Sequence, residues 1–262
     1  MKKIALIVGC FLCSLCSIHA TQKSLAPLLM QLQQQTADSS KHAINQQLIE
    51  QLTSYLSQQN ALQARIDSLP YIGAVCDKDS TLRIISWNYG LQNGSYATHA
   101  IFIKKTGKDK NILHVFSTTE TQLPEPKKVY QAKNWYGALY YRIVKQKNRY
   151  LLLGYAAYQP DTRVKLIDVL NYKNSKPVLG EAIFNCHGKK QHRMVFEYSS
   201  RVQMLLQYDE RQKAFIFDHL SPEEPSMQGV PAYYGPDFSY NGLFYRKKNW
   251  TLQEDLDLKN IE

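Results

Sequence analysis

The sequence predicts an all-β domain behind a helical segment. Three observations carry that reading. From Leu82 onward, runs of four to ten residues rich in Ile, Val, Tyr, Phe and Leu alternate with polar turn clusters, the signature of short strands. The turns carry suitable chemistry: Asn93-Gly94, Lys147-Asn148 and Asn241-Gly242 suit tight hairpins with positive φ, and 173–177 (Lys-Asn-Ser-Lys-Pro) reads as a hairpin tip. No long helical pattern separates the strands, so antiparallel pairing is expected and a βαβ fold is not.

A loose repeat refines the architecture. An apolar run ending at Tyr155, a polar turn and a second run carrying Asp168 recur as Tyr208 and Asp218, 53 and 50 residues later, and a diluted copy surrounds Trp87. Periods of about 40–50 residues are typical of four-stranded propeller blades. The expectation is therefore a propeller-like antiparallel β domain over 71–262, with a β-sandwich or barrel as the alternative.

Taken in order, the chain opens on a secretory signal over 1–20. Lys2 and Lys3 form the positive region, Ile4 to Leu15 an apolar core, and Ile18 and Ala20 the −3 and −1 positions before Thr21. The core is too short for a membrane span of about 20 residues. Ile7-Val8-Gly9-Cys10 also resembles a lipobox, but with little apolar sequence ahead of it an ordinary cleaved signal is preferred. The expected address is periplasmic or extracellular.

Residues 21–70 form the helical segment. Leu25, Leu28, Leu29 and Leu32 recur at helical spacing, followed by a stripe of Ile44, Leu48, Leu52, Tyr55, Leu56, Leu62 and Ile66. A break at 37–40 implies two helices, with Ser39 or Ser40 as cap, and Pro70 stops the segment near Ser68. Too short for sustained heptads, it is expected to lie against the β domain rather than form a coiled-coil arm. Strands are then expected near 82–87, 97–105, 111–117, 136–146, 149–156, 163–172, 178–184, 192–198, 202–208, 213–219, 232–234 and 243–247.

Three stretches resemble a known group: Ser80-Thr81-Leu82-Arg83-Ile84-Ile85-Ser86-Trp87-Asn88, Tyr150-Leu151-Leu152-Leu153-Gly154-Tyr155, and Tyr233-Tyr234-Gly235-Pro236-Asp237-Phe238-Ser239-Tyr240. Together they are similar to a loose group of uncharacterised secreted proteins from Bacteroidetes, over most of 75–260. The resemblance implies export and a β-rich fold and no particular chemistry. Asn88 stands where that group often has Asp, so no carboxylate requirement carries over.

Charge and cysteine content bound the partners. The formal net charge is +10, compatible with acidic glycans, phospholipid head groups or nucleic acid. The lysines cluster at expected turns, however, where they block edge-to-edge pairing. They do not line one stripe, and nucleic acid is not expected. Of five cysteines, Cys10, Cys13 and Cys16 leave with the signal. Cys76 and Cys186 remain and could form one disulfide in an oxidising compartment.

No constellation specifies catalysis. Asp168, Asp218, His219 and Asp237 are the candidate catalytic residues, but Asp218 and His219 are neighbours on a strand and should face opposite ways, and no G-x-S-x-G elbow is present. Cys186, His187 and His192 have irregular spacing for zinc and sit beside Lys189 and Lys190, so no metal is expected. P-loop, dinucleotide, EF-hand and H-E-x-x-H signatures are absent, and no cofactor is expected. The densest aromatic stretch offers candidate ligand-binding residues Tyr233, Tyr234, Asp237, Phe238, Tyr240 and Trp250, with Trp87, Trp135 and Tyr136 alongside; exposed rings on a rigid loop stack on sugars or peptide side chains. Core filling is the competing use of such rings. The expected function is a non-enzymatic exported binding module for glycan or peptide. The alternatives are a hydrolase of an envelope or dietary polymer and a structural or assembly protein of the cell envelope.

Overall fold

The computed structural model describes residues 25–57, 60–66, 69–108 and 110–257. The expected signal peptide, the lipobox-like Cys10 and the cleavage site lie outside the described residues. The described chain is a stack of four layers: a helical layer and three sheets. Helices α1 (25–34) and α2 (Asp38–Ser57) cover the first sheet, whose strands run β1 (Gly73–Cys76), β2 (Leu82–Gly90), β3 (Tyr96–Lys105) and β4 (Asn111–Thr118) in order. The second sheet joins β5 (Leu139–Gln146), β6 (Arg149–Ala156), β7 (Thr162–Lys173) and β11 (Met194–Ser199), with the short β8 (Lys176–Leu179) folded back on β7. The third runs β10 (Lys189–Gln191), β9 (Phe184–Cys186), β15 (Asn249–Gln253), β14 (Tyr234–Arg246), β13 (Ala214–Pro222) and β12 (Leu206–Asp209).

Three cores lie between the layers. Leu25, Leu29, Leu48, Leu52 and Tyr55 from the helices pack on Ile85, Trp87, Tyr89 and Ile101 of the first sheet. The opposite face of that sheet, through Ile84, Phe102 and Phe116, meets Tyr140, Leu152 and Leu166 of the second. The far face of the second sheet, through Leu151, Leu153, Ile167 and Val169, meets Phe215, Phe217, Leu243 and Trp250 of the third. β6 and β7 are thus covered on both faces, which is why they read as continuous apolar runs rather than alternating ones.

This layering corrects the propeller expectation. A propeller needs its last blade to pack on its first; here the outer face of the first sheet is occupied by the helices, and no barrel closes. Pairs of neighbouring sheets are sandwich-like. The 50-residue echo arises because two central strands and their counterparts in the third sheet share a need for apolar faces. All strand pairings are antiparallel except β9–β15, which is parallel.

Local differences have local causes. The expected strands 232–234 and 243–247 fall on one long strand, β14 (Tyr234–Arg246), with Asn241-Gly242 in its interior and Ala232 and Tyr233 in the 3-10 turn before it. Gly242 serves there for close approach, since a Cβ would fall 2.7 Å from Leu256 Cδ1. Predicted strand 178–184 is split between two sheets, β8 and β9. Helix α2 begins at Asp38, ahead of the serines expected to cap it, and ends at Ser57, short of the expected stop. Ile66 still packs into the first core, but from a non-helical turn that Arg83 pins by donating to the carbonyls of Ala61, Leu62 and Ala64 at 3.3, 3.2 and 2.7 Å. A buried arginine fixes that backbone by tertiary contact, which helical spacing does not reveal.

The disulfide that Cys76 and Cys186 could have formed is absent: both thiols are free, Cys76 at the exposed end of β1 and Cys186 in the third core, on different sheets. No described helix is long and apolar enough to cross a membrane.

Candidate functional site

A cleft of about 520 Å³ opens where β1 and β2 of the first sheet meet β5 and β6 of the second, with α1 closing one side. Its volume lies within the roughly 300–1,000 Å³ of small-ligand clefts. Tyr71, Tyr141 and Tyr155 supply aromatic surface, and Gln33, Ser86 and Asn88 the polar groups. Tyr71 follows Pro70 and holds a left-handed backbone, φ +58°, that projects it outward at 61 % exposure. Tyr141 sits at the β5 irregularity between Tyr140 and Arg142, which turns it to the surface at 41 % exposure. Its hydroxyl donates to Leu206 O at 3.0 Å, and burial pushes its pKa well above the ordinary phenol value. The Tyr141 ring is thus anchored at its hydroxyl, with the Lys165 ammonium 5.8 Å from its centroid on one face, while Tyr71 stands exposed.

The polar rim is built by packing contacts. Gln33 Nε2 donates to Asn88 O at 3.0 Å, drawing α1 to the cleft. Tyr140 N–H donates to Ser86 Oγ at 3.2 Å, tying the second sheet to the first. The Asn88 side-chain amide forms no hydrogen bond among the described residues and is only half-buried, leaving a donor and an acceptor beside the tyrosines. All of these groups are neutral. The site can stack and hydrogen-bond; it holds no acid or base within its lining.

The sequence-predicted binding residues are dispersed. Trp87 is buried beneath α2, its indole N–H donating to Asn45 Oδ1 at 2.8 Å, although it forms part of the cleft floor. Trp135 and Tyr136 are buried between the first two sheets, and Trp250 between the second and third. Buried rings cannot stack on a ligand, so these are core residues. Tyr233 lies partly exposed with the Arg201 guanidinium 5.6 Å from its ring, Tyr234 accepts the Gly229 N–H at 3.0 Å, and Tyr240 pairs with Asp218 across β13–β14. Tyr71 and Tyr141 carry no distinguishing sequence signal beyond being aromatic, and Tyr155 is marked only as the end of a repeated apolar run; the meeting of two sheets brings the three around one cleft.

The catalytic candidates also separate. Asp168 is fully buried in an ion pair with Arg193, Nε to Oδ2 3.1 Å. Asp218 accepts the Leu205 N–H at 2.6 Å. His219 points the other way and meets Asp237, Nδ1 to Oδ2 2.7 Å, while Ser239 donates its hydroxyl to Asp237 Oδ1 at 2.7 Å. Burial raises the Asp237 carboxyl, but the hydrogen bonds from His219 and Ser239 outweigh it and hold it at about 2. Serine and histidine both spend their bond on the same carboxylate, so the histidine does not activate the serine as a relay would. The three side chains brace a bulge in β14 opposite His219.

Phe238 crowns that bulge with φ +69° and 92 % exposure. A side chain in this conformation carries strain of about 1–2 kcal/mol, and so exposed a ring recovers little by packing. Phe238→Gly is expected to raise stability by about 0.5–1 kcal/mol after the entropy cost of glycine. An unchanged or lower urea midpoint would show that the ring packs in solution.

Of the remaining candidates, Cys186 lies in the third core with its thiol 3.5 Å from Met194 Sδ, and burial pushes that thiol up to about 11. His187 faces Glu254 at 3.6 Å. Among the described residues no group of three or more His, Cys, Asp or Glu side chains is placed to hold a metal. Comparison with models of protein families, with curated proteins and with solved structures finds no match.

Proposed function

We propose that the chain is an exported, non-enzymatic binding module that holds a glycan in the tyrosine cleft between the first two sheets. The observation that carries this reading is the set Tyr71, Tyr141 and Tyr155 around one opening with the unpaired Asn88 amide at its rim. Sugar rings offer C–H faces that stack on aromatics and hydroxyls that pair with amides, and a neutral lining suits ligand holding rather than bond cleavage. The leader pattern in 1–20 supports export.

A glycan array with the purified protein tests the reading. Saturable binding to one glycan class is expected, weakened about tenfold or more by Tyr71→Ala with Tyr141→Ala, because aromatic anchors at the centre of a site dominate affinity. Tyr233→Ala with Phe238→Ala should leave binding unchanged, since both rings lie away from the cleft. Loss of binding only in the second pair would relocate the site to the β14 bulge and overturn the cleft reading.

A further inference from the structure

The tyrosine cleft is one end of a series of hollows that follow β1, the edge strand of the first sheet. The cleft reaches Tyr71, Ile72 and Gly73. A second hollow of about 240 Å³ is lined by the next residues of β1, Ala74, Val75 and Cys76, and walled by Leu62, Gln63, Ala64 and Arg83. A third, of about 260 Å³, shares Leu62 and Gln63 with the second and extends to Asn60, Ser80, Lys105, Lys108 and Asn111. The lining changes character along this path, from tyrosines at one end to amides, a hydroxyl and two ammonium groups at the other.

The two lysines differ from Lys104. Lys104 is engaged, 4.5 Å from the Tyr172 ring and 3.4 Å from the Tyr150 hydroxyl. Two described acids of the β1–β2 turn are committed elsewhere: Asp79 to Lys145 at 2.9 Å, and Asp77 to the N–H groups of Thr81 and Leu82 at 2.7 and 2.5 Å. Lys105 and Lys108 make no side-chain hydrogen bond or ion pair among the described residues, and the described lining of their hollow contains no carboxylate. Two cations without a partner among the described residues, in a recess beside amide groups, complement an anion.

We propose that the β1 edge is an extended groove for an acidic glycan, with sugar rings on the tyrosines and a carboxylate on Lys105 and Lys108. The inference rests on the glycan reading of the cleft and adds the charge of the ligand and the direction in which the chain lies. Several sugar units are needed to reach from Tyr71 to Lys108, so short oligosaccharides engage one end only.

Titration calorimetry with an oligouronate, its carboxyl-reduced counterpart and a polyglutamate peptide of equal charge tests it. The oligouronate is expected to bind more tightly than the reduced chain. Lys105→Gln with Lys108→Gln should remove about tenfold of that preference, as two partly solvated ion pairs would, while leaving the reduced chain's affinity unchanged. Because both lysines are peripheral to the cores, matching thermal unfolding curves establish that the variant is folded. Equal binding of the two sugars overturns the charge assignment and leaves the glycan reading standing. Binding of polyglutamate as tight as oligouronate overturns the carbohydrate assignment in favour of an acidic peptide. Binding of none of the three overturns both readings.

Discussion

Arg193→Ala is expected to remove about 3–5 kcal/mol of folding stability, the cost of leaving a buried charge without its partner. Arg193 precedes β11 and stands opposite Asp168 in the continuation of the β7–β11 register, where Met194 faces Ile167. Both side chains are fully buried. The guanidinium donates to Asp168, to the carbonyls of Glu125 and Lys128 at 2.5 Å each, and to Leu179 O at 3.4 Å. Its plane lies 4.6 Å from the Tyr130 ring, a favourable placement for a desolvated cation. Asp168 is further satisfied by the Tyr136 hydroxyl and the Val169 N–H, both at 2.7 Å. Gly180 makes room for this cage, for a Cβ there would meet Arg193 Nη2 at 2.7 Å.

One side chain thus fastens the β4–β5 connection to the second sheet. Its loss removes the countercharge of buried Asp168 and the Arg193 bond to Lys128 O, while Glu125 O and Leu179 O keep the Lys128 and Tyr130 N–H groups; against a typical total of about 5–15 kcal/mol this is a large fraction of stability. Arg193→Lys should recover little, because a single ammonium cannot span four acceptors set in a plane. Asp168→Leu combined with Arg193→Met should be more stable than either single variant, since it removes the uncompensated charge, but less stable than the parent because Lys128 O loses its Arg193 donor and the Tyr136 hydroxyl its acceptor. Urea unfolding measures all four. A loss below about 1 kcal/mol for Arg193→Ala would mean that water reaches the site and that the cage is not closed.

The same pair shows what was legible in the sequence. Strand positions β2 to β7 could be read because burial and turn chemistry are local: Lys147 and the Asn174-Ser175 pair do adopt the positive φ their hairpins need. Asp168 could be recognised as a buried carboxylate from the apolar run around it. Its partner could not, since Arg193 lies 25 residues away in an unremarkable basic stretch and is brought opposite only by the β7–β11 pairing. The propeller expectation erred for a related reason. A repeat spacing reports that strands recur, whereas the choice between layers and a ring depends on which faces meet, and here the helices claim one of them. Aromatic density likewise pointed to 231–250, but Trp250 fills a core while Tyr71 and Tyr141, widely separated in sequence, share an opening. The opening between the two sheets is set by sheet pairing, which the local aromatic pattern does not carry.

Acid should weaken the docking of the helices on the first sheet through His99. This residue lies on β3 between the rings of Trp87 and Tyr89, with centroids 5.6 and 5.5 Å away. Asn45 from α2 accepts the Trp87 indole N–H through Oδ1, which turns its amide nitrogen to His99 Nε2 at 3.1 Å. The imidazole must therefore accept at Nε2, so it is neutral and carries its proton on Nδ1, which has no partner among the described residues. Burial, reinforced by His42 nearby, lowers its pKa from 6.5 to about 3. His42 itself pairs with the Tyr89 hydroxyl at 2.7 Å, and Asp38 and Lys41 of α2 bind the backbone at Gln92 and Gly90. The folded-state pKa lies below the unfolded one, so the unfolded chain takes up the proton first. The stability contributed by neutral His99 is complete above pH 6.5 and declines as pH falls towards 3. Between pH 7 and pH 4 the decline should be about 3 kcal/mol. Carboxylates add their own acid dependence, so the test is a difference: His99→Phe keeps the ring stack, loses about 1–3 kcal/mol at pH 7 by orphaning the Asn45 amide, and should show a much shallower fall in urea midpoint between pH 7 and pH 4. Equal slopes for parent and variant would show that His99 does not titrate across this window and that the helical layer is held independently of its charge.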